Sequence, residues 1–179
     1  MISVGLIGYG RNGSLMHAPA IDTYERFRFA AICDIDEAAR AAASEKFGCP
    51  VYEDYHDMLR EADFELAVII TPSDCHASIA CDCLRAGKKV LITKPMGISM
   101  AEVDEMIAVS RETGSQLLPW LPARWGCDLR RLREVISAGV IVKVVESQLF
   151  APKVIRLLLA AVLQLYPPLS LQAMMTSAT

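Results

Sequence analysis

Short apolar runs alternate with longer helix-forming stretches from the start of the chain to about residue 120. The apolar runs have the length of buried strands, and most of the stretches between them are followed by glycine or proline, which end helices. Strands are predicted at residues 2–7, 28–33, 51–52, 66–70, 88–92 and 116–118. Helices are predicted at residues 14–24, 35–47, 54–60, 74–86 and 99–113. Buried strands that alternate with helices through short connections predict a doubly wound α/β fold with a parallel sheet.

The first predicted strand ends in a glycine turn and is followed by a helix, which is the setting of a dinucleotide site. The turn reads Gly8-Tyr9-Gly10-Arg11-Asn12-Gly13. Gly8 permits a tight turn, Gly10 lets the backbone approach a pyrophosphate, and Gly13 lets the helix pack close to the strand. The helix N-terminus adds unpaired N–H groups that attract phosphate. The pattern predicts a Rossmann dinucleotide-binding domain; an ordinary glycine turn is the alternative.

The second strand ends at an acidic residue, Asp34. A carboxylate at this position accepts hydrogen bonds from the ribose hydroxyls of an adenosine and repels a 2′-phosphate. Asp34 therefore predicts that NAD is the cofactor and disfavours NADP. The alternative is that Asp34 only caps the helix that starts near Glu37.

Polar residues also follow the fourth and fifth strands, at the edge where a doubly wound sheet binds its ligands. Thr71 and Pro72 follow the fourth strand, and His76 lies on the first turn of the next helix. Lys94 lies between the end of the fifth strand and Pro95, where an amine is well placed to bind a substrate hydroxyl or move its proton. A surface helix residue is the alternative for His76, and a solvated loop residue is the alternative for Lys94.

Composition excludes several classes of function. The net charge of −3 and the pI of about 5.6 give no electrostatic case for binding nucleic acid. No signal peptide and no apolar run long enough to span a membrane is found. The six cysteines are scattered, which predicts reduced thiols in a cytoplasmic protein and no metal site.

The order and spacing of these motifs resemble the N-terminal part of the glucose–fructose oxidoreductase and inositol dehydrogenase family (Gfo/Idh/MocA). The residues that carry the resemblance are the glycine turn, Cys33-Asp34, residues 69–76 and residues 86–95, with Arg124-Trp125 and Asp128 further on. The match runs from about residue 2 to residue 150. The resemblance implies an NAD- or NADP-dependent oxidoreductase of sugars, cyclitols or related alcohols.

The resemblance also implies roles for individual residues. The glycine turn and Asp34 would hold the dinucleotide, and Lys94 would be the substrate-contacting lysine of the family's Glu-Lys-Pro motif. Other residues that it places around the cofactor are Thr71, Pro72, His76, Thr93, Lys94, Arg124 and Trp125. Here the motif reads Thr93-Lys94-Pro95, so the family's glutamate is replaced by an uncharged residue and the electrostatic environment of Lys94 is altered.

The second departure from the family lies beyond the first domain. Residues 1–120 form the predicted Rossmann domain, and residues 121–150 form a linking helix (129–138) and the first strand (142–150) of a second, α+β domain. The family's second domain supplies an Asp and a His to the substrate pocket, and that part of the pattern is missing. Residues 151–179 are apolar, carry only Lys153 and Arg156 as charges, and lack family resemblance.

The abrupt change at residue 151 predicts a truncated chain, as a frameshift would produce, and genomic reads across codons 145–160 test that origin. A genuine short protein whose tail packs on a partner is the alternative. Two functions stay open: an NAD(P)-dependent oxidoreductase, and a catalytically inactive dinucleotide-binding module or partner subunit. Self-association through the exposed strand and the apolar tail is expected in either case.

Overall fold

The computed structural model describes residues 1–139, and they contain one six-stranded sheet with helices on both faces. The strands are β1 (Ile2–Ile7), β2 (Phe27–Cys33), β3 (Val51–Tyr52), β4 (Leu66–Ile69), β5 (Lys89–Ile92) and β6 (Leu117–Pro119). All neighbouring pairs are parallel, in the order β3-β2-β1-β4-β5-β6. The strand order reverses between β1 and β4, so the predicted doubly wound sheet is confirmed.

Helices connect successive strands as predicted, and except at the start of α1 their ends lie within two residues of the prediction. They are α1 (Ala18–Thr23), α2 (Glu37–Phe47), α3 (Tyr55–Glu61), α4 (His76–Arg85) and α5 (Met100–Thr113). Short helical turns at Ser73–Cys75 and Pro122–Trp125 precede α4 and follow β6.

Local chemistry explains where several helices begin and end. Asp36 and Asp54 precede α2 and α3, and each carboxylate accepts a hydrogen bond from an N–H of the first helical turn, at 3.2 and 2.8 Å. Gly48 and Gly114 follow α2 and α5 with φ angles of 63° and 70°, in the left-handed region that favours glycine.

The first helix differs from the prediction. Gly13–His17 forms one wide turn in which the N–H of Ala18 donates to the carbonyl of Gly13, five residues earlier. Pro19 explains this turn, because proline has no N–H to donate and its ring clashes with the carbonyl four residues before it in a regular helix. The predicted helical stretch over residues 14–24 is therefore present, with a wide turn in its first half.

Buried side chains from alternate positions of β1 enter two cores, one on each face of the sheet. Val4 and Leu6 belong to the core under α1 and α2, while Ile7 belongs to the core under α4 and α5. Gly5 faces the second core, and a Cβ there would lie 2.8 Å from the Phe64 ring. Phe64 can therefore lie flat against the sheet only because residue 5 is glycine.

Two units divide the chain, Met1–Trp125 and a second that begins at Gly126. In the second unit the structure describes one helix, α6 (Cys127–Ser137), where the linking helix was expected. The predicted strand at 142–150 and the apolar tail lie outside the described residues, so those expectations stay predictions.

Candidate functional site

The glycine turn lies where β1 ends, at the edge where the strand order reverses. Gly8 has a φ of 99°, and a Cβ on it would lie 2.8 Å from the carbonyl oxygen of Ile70. A Cβ on Gly13 would overlap the carbonyl oxygen of Gly8. A Cβ on Gly10 would meet nothing within 4 Å. Gly8 and Gly13 are thus required by the fold itself, whereas Gly10 borders open space.

The other residues of the turn divide between core and solvent. The Tyr9 side chain is buried, packs edge-on against Phe47, and has a pKa raised by that burial. The Tyr9 side chain therefore packs in the core, and the contact of Tyr9 with a cofactor stays a prediction. Arg11 and Asn12 are exposed at the start of the helical backbone, on the open side of the turn.

Asp34 is held by two backbone amides. One carboxylate oxygen accepts a hydrogen bond from the N–H of Tyr9 at 2.6 Å, and the other accepts from Asp36 at 2.9 Å. The residue that caps α2 is Asp36, so the alternative in which Asp34 caps that helix is wrong. Each carboxylate oxygen has a second acceptor position, so Asp34 keeps capacity for a ribose hydroxyl beside the glycine turn.

Arg40 is a residue of this region that sequence reasoning missed. Its guanidinium donates to the carbonyls of Asp34 and Ile35 at 2.8 and 3.0 Å and pairs with Glu53 at 3.3 Å. These bonds fix the loop that carries Asp34. No local sequence signal announces them, because an arginine six residues after the strand end also suits an exposed helix face.

A buried hydroxyl without a partner lies at the end of β4. Thr71 Oγ1 is inaccessible to solvent and has no hydrogen-bond partner within the part of the chain that the structure describes. Buried polar groups are almost always hydrogen-bonded, so this hydroxyl points to a partner that binds here. Pro72, next to it, is exposed.

His76 is fully buried, at 1% exposure. Its Nδ1 lies 2.8 Å from the carbonyl oxygen of Pro95, and its Nε2 lies 2.9 Å from that of Thr71. The alternative of a surface helix residue is therefore wrong. Direct contact of the ring with a cofactor stays a prediction, since both nitrogens are occupied by the backbone of the two loops.

The side chains of Thr93 and Lys94 have different surroundings. The Thr93 hydroxyl donates to the carbonyl of Ile69 at 3.2 Å, and so helps to hold the ends of β4 and β5 together. Lys94 is exposed and forms no hydrogen bond or ion pair with residues 1–139, and its peptide bond to Pro95 is cis. The threonine that replaces the family's glutamate is thus bonded to the sheet instead of to the lysine.

The last predicted site residues lie in the turn Pro122–Trp125 after β6. Arg124 is exposed there, and the side chain of Trp125 is not described. An aromatic contact that the sequence did not indicate lies nearby: the rings of His17 and Trp120 are 5.6 Å apart at their centroids. Burial lowers the pKa of His17 below the usual value for an imidazole.

The described residues fit a dinucleotide. Open space at Gly10 leaves room for a pyrophosphate, Asp34 offers acceptors for a ribose, and the hydroxyl of Thr71 lacks a partner. Within residues 1–139, no group of three acidic, histidine or cysteine side chains could hold a metal ion. None of the helices described there has the length and apolar character needed to cross a bilayer.

Comparison with known proteins places these features in a family. Residues 2–119 match the model of GFO_IDH_MocA, an oxidoreductase family with an NAD-binding Rossmann fold. The chain is 27% identical to the NADP(+)-dependent scyllo-inositol 2-dehydrogenase of Bacillus subtilis over 77% of this chain and 38% of that protein. It is 33% identical to the trans-1,2-dihydrobenzene-1,2-diol dehydrogenase of Mus musculus, over 79% of this chain and 41% of that one.

A solved structure of a related dehydrogenase has a similar fold. The scyllo-inositol dehydrogenase of Lactobacillus casei with bound NAD(H) and scyllo-inositol superimposes with a TM-score of 0.74 at 26% identity. The alignment covers 79% of this chain and 42% of that one. The chain thus spans about two fifths of the length of the relatives that it matches.

Proposed function

The chain belongs to the Gfo/Idh/MocA family of NAD-binding oxidoreductases, and we propose on that basis that it binds NAD(H) at the carboxyl edge of its sheet. It forms the dinucleotide-binding part of an oxidoreductase that acts on a sugar, a cyclitol or a related alcohol. The observation that carries the proposal is the meeting of three features at this one edge. They are the open space at Gly10, the amide-held Asp34 and the unpartnered hydroxyl of Thr71.

Asp34 supports NAD over NADP. Its carboxylate is fixed beside the glycine turn, where it would accept from ribose hydroxyls and repel a 2′-phosphate. The guanidinium of Arg40, which contacts the loop of Asp34, is already bonded to two carbonyls and to Glu53 and so does not offset this repulsion. The relative from Bacillus subtilis is named for NADP(+), so membership of the family does not decide between NAD and NADP. The preference for NAD is proposed from Asp34 in this chain and is tested on this chain.

Lys94 supports an alcohol as substrate. The bound dinucleotide supplies hydride transfer at its nicotinamide, and the substrate carbon that exchanges the hydride carries a hydroxyl whose proton must also move. The exposed amine of Lys94 at the same edge, with no bond to residues 1–139, would hold that oxygen; as the neutral amine it would take the proton in oxidation, and as the ammonium it would return the proton in reduction. The relatives named for inositol and for a dihydrodiol suggest a polyol of this class.

A catalytically inactive dinucleotide-binding module is the second candidate. It is favoured by the surroundings of Lys94, because no carboxylate or imidazole within residues 1–139 bonds to this lysine. In either case the six free cysteines support a cytoplasmic location.

The experiment is a fluorescence titration of NADH on the purified chain, followed by additions of inositols, glucose, xylose and their lactones. Binding of NADH tests the cofactor, and a further change on adding one polyol tests the substrate class. Lys94→Ala should keep the NADH signal and lose the polyol response. Lys89→Ala, at an exposed lysine at the start of β5 away from this edge, is the matched control. A chain that gives no NADH signal at any concentration contradicts the proposal.

A further inference from the structure

The loop between β2 and α2 carries Asp34 and is held by hydrogen bonds instead of by packing. Ile35 is 87% exposed, so its side chain does not anchor the loop in the core. The N–H of Asp34 donates to the carbonyl of Tyr52 at 3.1 Å, which fixes the start of the loop at the sheet. The next two carbonyls, those of Asp34 and Ile35, are both held by Arg40 of α2. The position of the Asp34 carboxylate therefore depends on this arginine.

The guanidinium of Arg40 acts mainly on the backbone of the loop. Its Nη1 donates to both carbonyls, at 2.8 and 3.0 Å, and its Nη2 donates to Glu53 at 3.3 Å. The side chain of Arg40 is 17% exposed, whereas that of Glu53 is 74% exposed. An exposed ion pair contributes little, so the two carbonyl bonds are the stronger part of this arrangement. Both N–H groups of Nη1 are thus used to hold the loop.

We propose that Arg40 is a positioning residue that sets the preference between NAD(H) and NADP(H) by holding Asp34 in place. The inference rests on the cofactor site proposed above and assigns part of its discrimination to a residue that would contact neither dinucleotide. The carboxylate of Asp34 accepts from the N–H of Tyr9 at 2.6 Å, so a shift of the Asp34 backbone would move it away from the glycine turn. A carboxylate that is free to move binds ribose hydroxyls less well and repels a 2′-phosphate less, because its position is no longer fixed before binding.

The positive charge of Arg40 gives the opposite prediction if the guanidinium binds the cofactor directly. In that case it would attract the 2′-phosphate of NADP(H), and its removal would weaken NADPH binding and widen the gap between the two affinities. If Arg40 instead positions Asp34, its removal weakens NADH binding, relieves the repulsion of NADPH and narrows the gap. The sign of the change distinguishes the two roles.

Calorimetric titration of NADH and NADPH into the original protein, Arg40→Met and Arg40→Lys measures that sign. Methionine cannot donate to either carbonyl, so the ratio of the two affinities should fall roughly three- to tenfold, as for the loss of about one hydrogen bond. The fall should be smaller in Arg40→Lys, since an ammonium can donate to a carbonyl but lacks the fork of a guanidinium. An unchanged or larger ratio in the variants contradicts the proposal.

Arg60→Met is the matched control, because Arg60 is an exposed arginine of α3 that pairs with Asp57 of its own helix. It should leave the ratio of affinities unchanged. Circular dichroism checks the fold of each variant, and Arg40→Lys carries the tests if Arg40→Met does not fold.

The Asp34→Ala background tests whether Arg40 acts through Asp34. There Arg40→Met should leave the ratio of affinities unchanged, because no carboxylate remains to be positioned. A change of the same size in both backgrounds would show that Arg40 acts independently of Asp34, which contradicts the positioning role.

Amide hydrogen exchange of Tyr9 in the free 179-residue protein tests the same tie without a cofactor. The N–H of Tyr9 donates to the Asp34 carboxylate, so it should exchange roughly three- to tenfold faster in Arg40→Met and at the original rate in Arg60→Met. Unchanged exchange in a folded Arg40→Met protein overturns the proposal. If neither dinucleotide binds to the original protein, the function proposed above is contradicted, and the exchange result alone decides whether Arg40 holds the carboxylate.

Discussion

The three glycines of the turn after β1 have different surroundings, and only one of them borders a space that a ligand could fill. Gly8 and Gly13 are enclosed by backbone, whereas a side chain on Gly10 would meet no protein atom within 4 Å. Substitution at Gly10 therefore separates binding from folding, which substitution at Gly8 or Gly13 cannot do.

Gly10→Val should lower the affinity for NAD(H) by well over tenfold, because the branched side chain fills the space proposed for the pyrophosphate. The free energy of unfolding should change by less than about 1 kcal/mol, since the added atoms meet no neighbour in the protein. Titration calorimetry and circular dichroism measure the two effects. Unchanged NAD affinity in a folded Gly10→Val protein would show that the cofactor lies elsewhere.

At the residue scale, the sequence predicted the candidate residues that belong to a motif with fixed spacing. It did not predict the residues whose role depends on contacts with distant parts of the chain. The glycine turn and Asp34 were found because their spacing is fixed along the chain. Arg40 and the orphan hydroxyl of Thr71 depend on which atoms come together in space, and no local pattern reports that. His76 was placed correctly at the start of a helix. Its burial could not be predicted, because a single polar residue in the sequence does not indicate whether its side chain is buried.

At the scale of elements, side chains explain where the helices begin. Asp36, Asp54 and Ser99 each precede a helix and accept an N–H of its first turn. The cap considered from the sequence was Asp34, two residues before the residue that caps α2, because aspartate suits a cap at either position.

The cap of α3 makes stability depend on pH. The N–H of His56 donates to Asp54, and this bond, with the nearby imidazole, lowers the pKa of that carboxyl. A lowered pKa in the folded state means that the carboxylate stabilises the protein above the unfolded pKa, about 3.9 for an aspartate. That contribution is lost as pH falls through the lower, folded-state pKa.

Asp54→Asn removes this ionisation and keeps a good cap. The difference in free energy of unfolding between the original protein and the variant should therefore shrink on acidification from about pH 5 to about pH 2. Urea unfolding at several pH values measures it. Asp22→Asn, on α1, is the matched control because its carboxylate forms no hydrogen bond or ion pair with residues 1–139. If the difference in free energy of unfolding between the original protein and Asp54→Asn stays constant over that pH range, ionisation of the Asp54 cap does not contribute to the pH dependence of stability.

At the scale of the whole molecule, the doubly wound parallel sheet followed from the alternation of strands and helices together with the handedness of their connections. The second unit did not follow in the same way. Its first helix was expected and is present, but strand pairing beyond it depends on residues that are distant in sequence. The chain spans about two fifths of its relatives, so their activity is not transferred with the fold.

The 179-residue chain should therefore oxidise polyols weakly or not at all, although it binds dinucleotide. Lys94 is exposed and bonds to no carboxylate or imidazole of residues 1–139, so no such group among them assists it in moving the substrate proton. A dehydrogenase assay across inositols, glucose and xylose at saturating NAD measures this. Robust turnover that Lys94→Ala abolishes would instead show that the chain builds a working site.

Calorimetric titration of NADH and NADPH into the original protein and into Asp34→Ala tests the central claim most directly. The claim is that the carboxyl edge of the sheet binds a dinucleotide whose ribose is held by Asp34. The account predicts that NADH binds more tightly than NADPH, and that Asp34→Ala narrows the gap by weakening NADH and relieving the repulsion of the 2′-phosphate. Equal affinities in the original protein, or a gap that Asp34→Ala leaves unchanged, would contradict it.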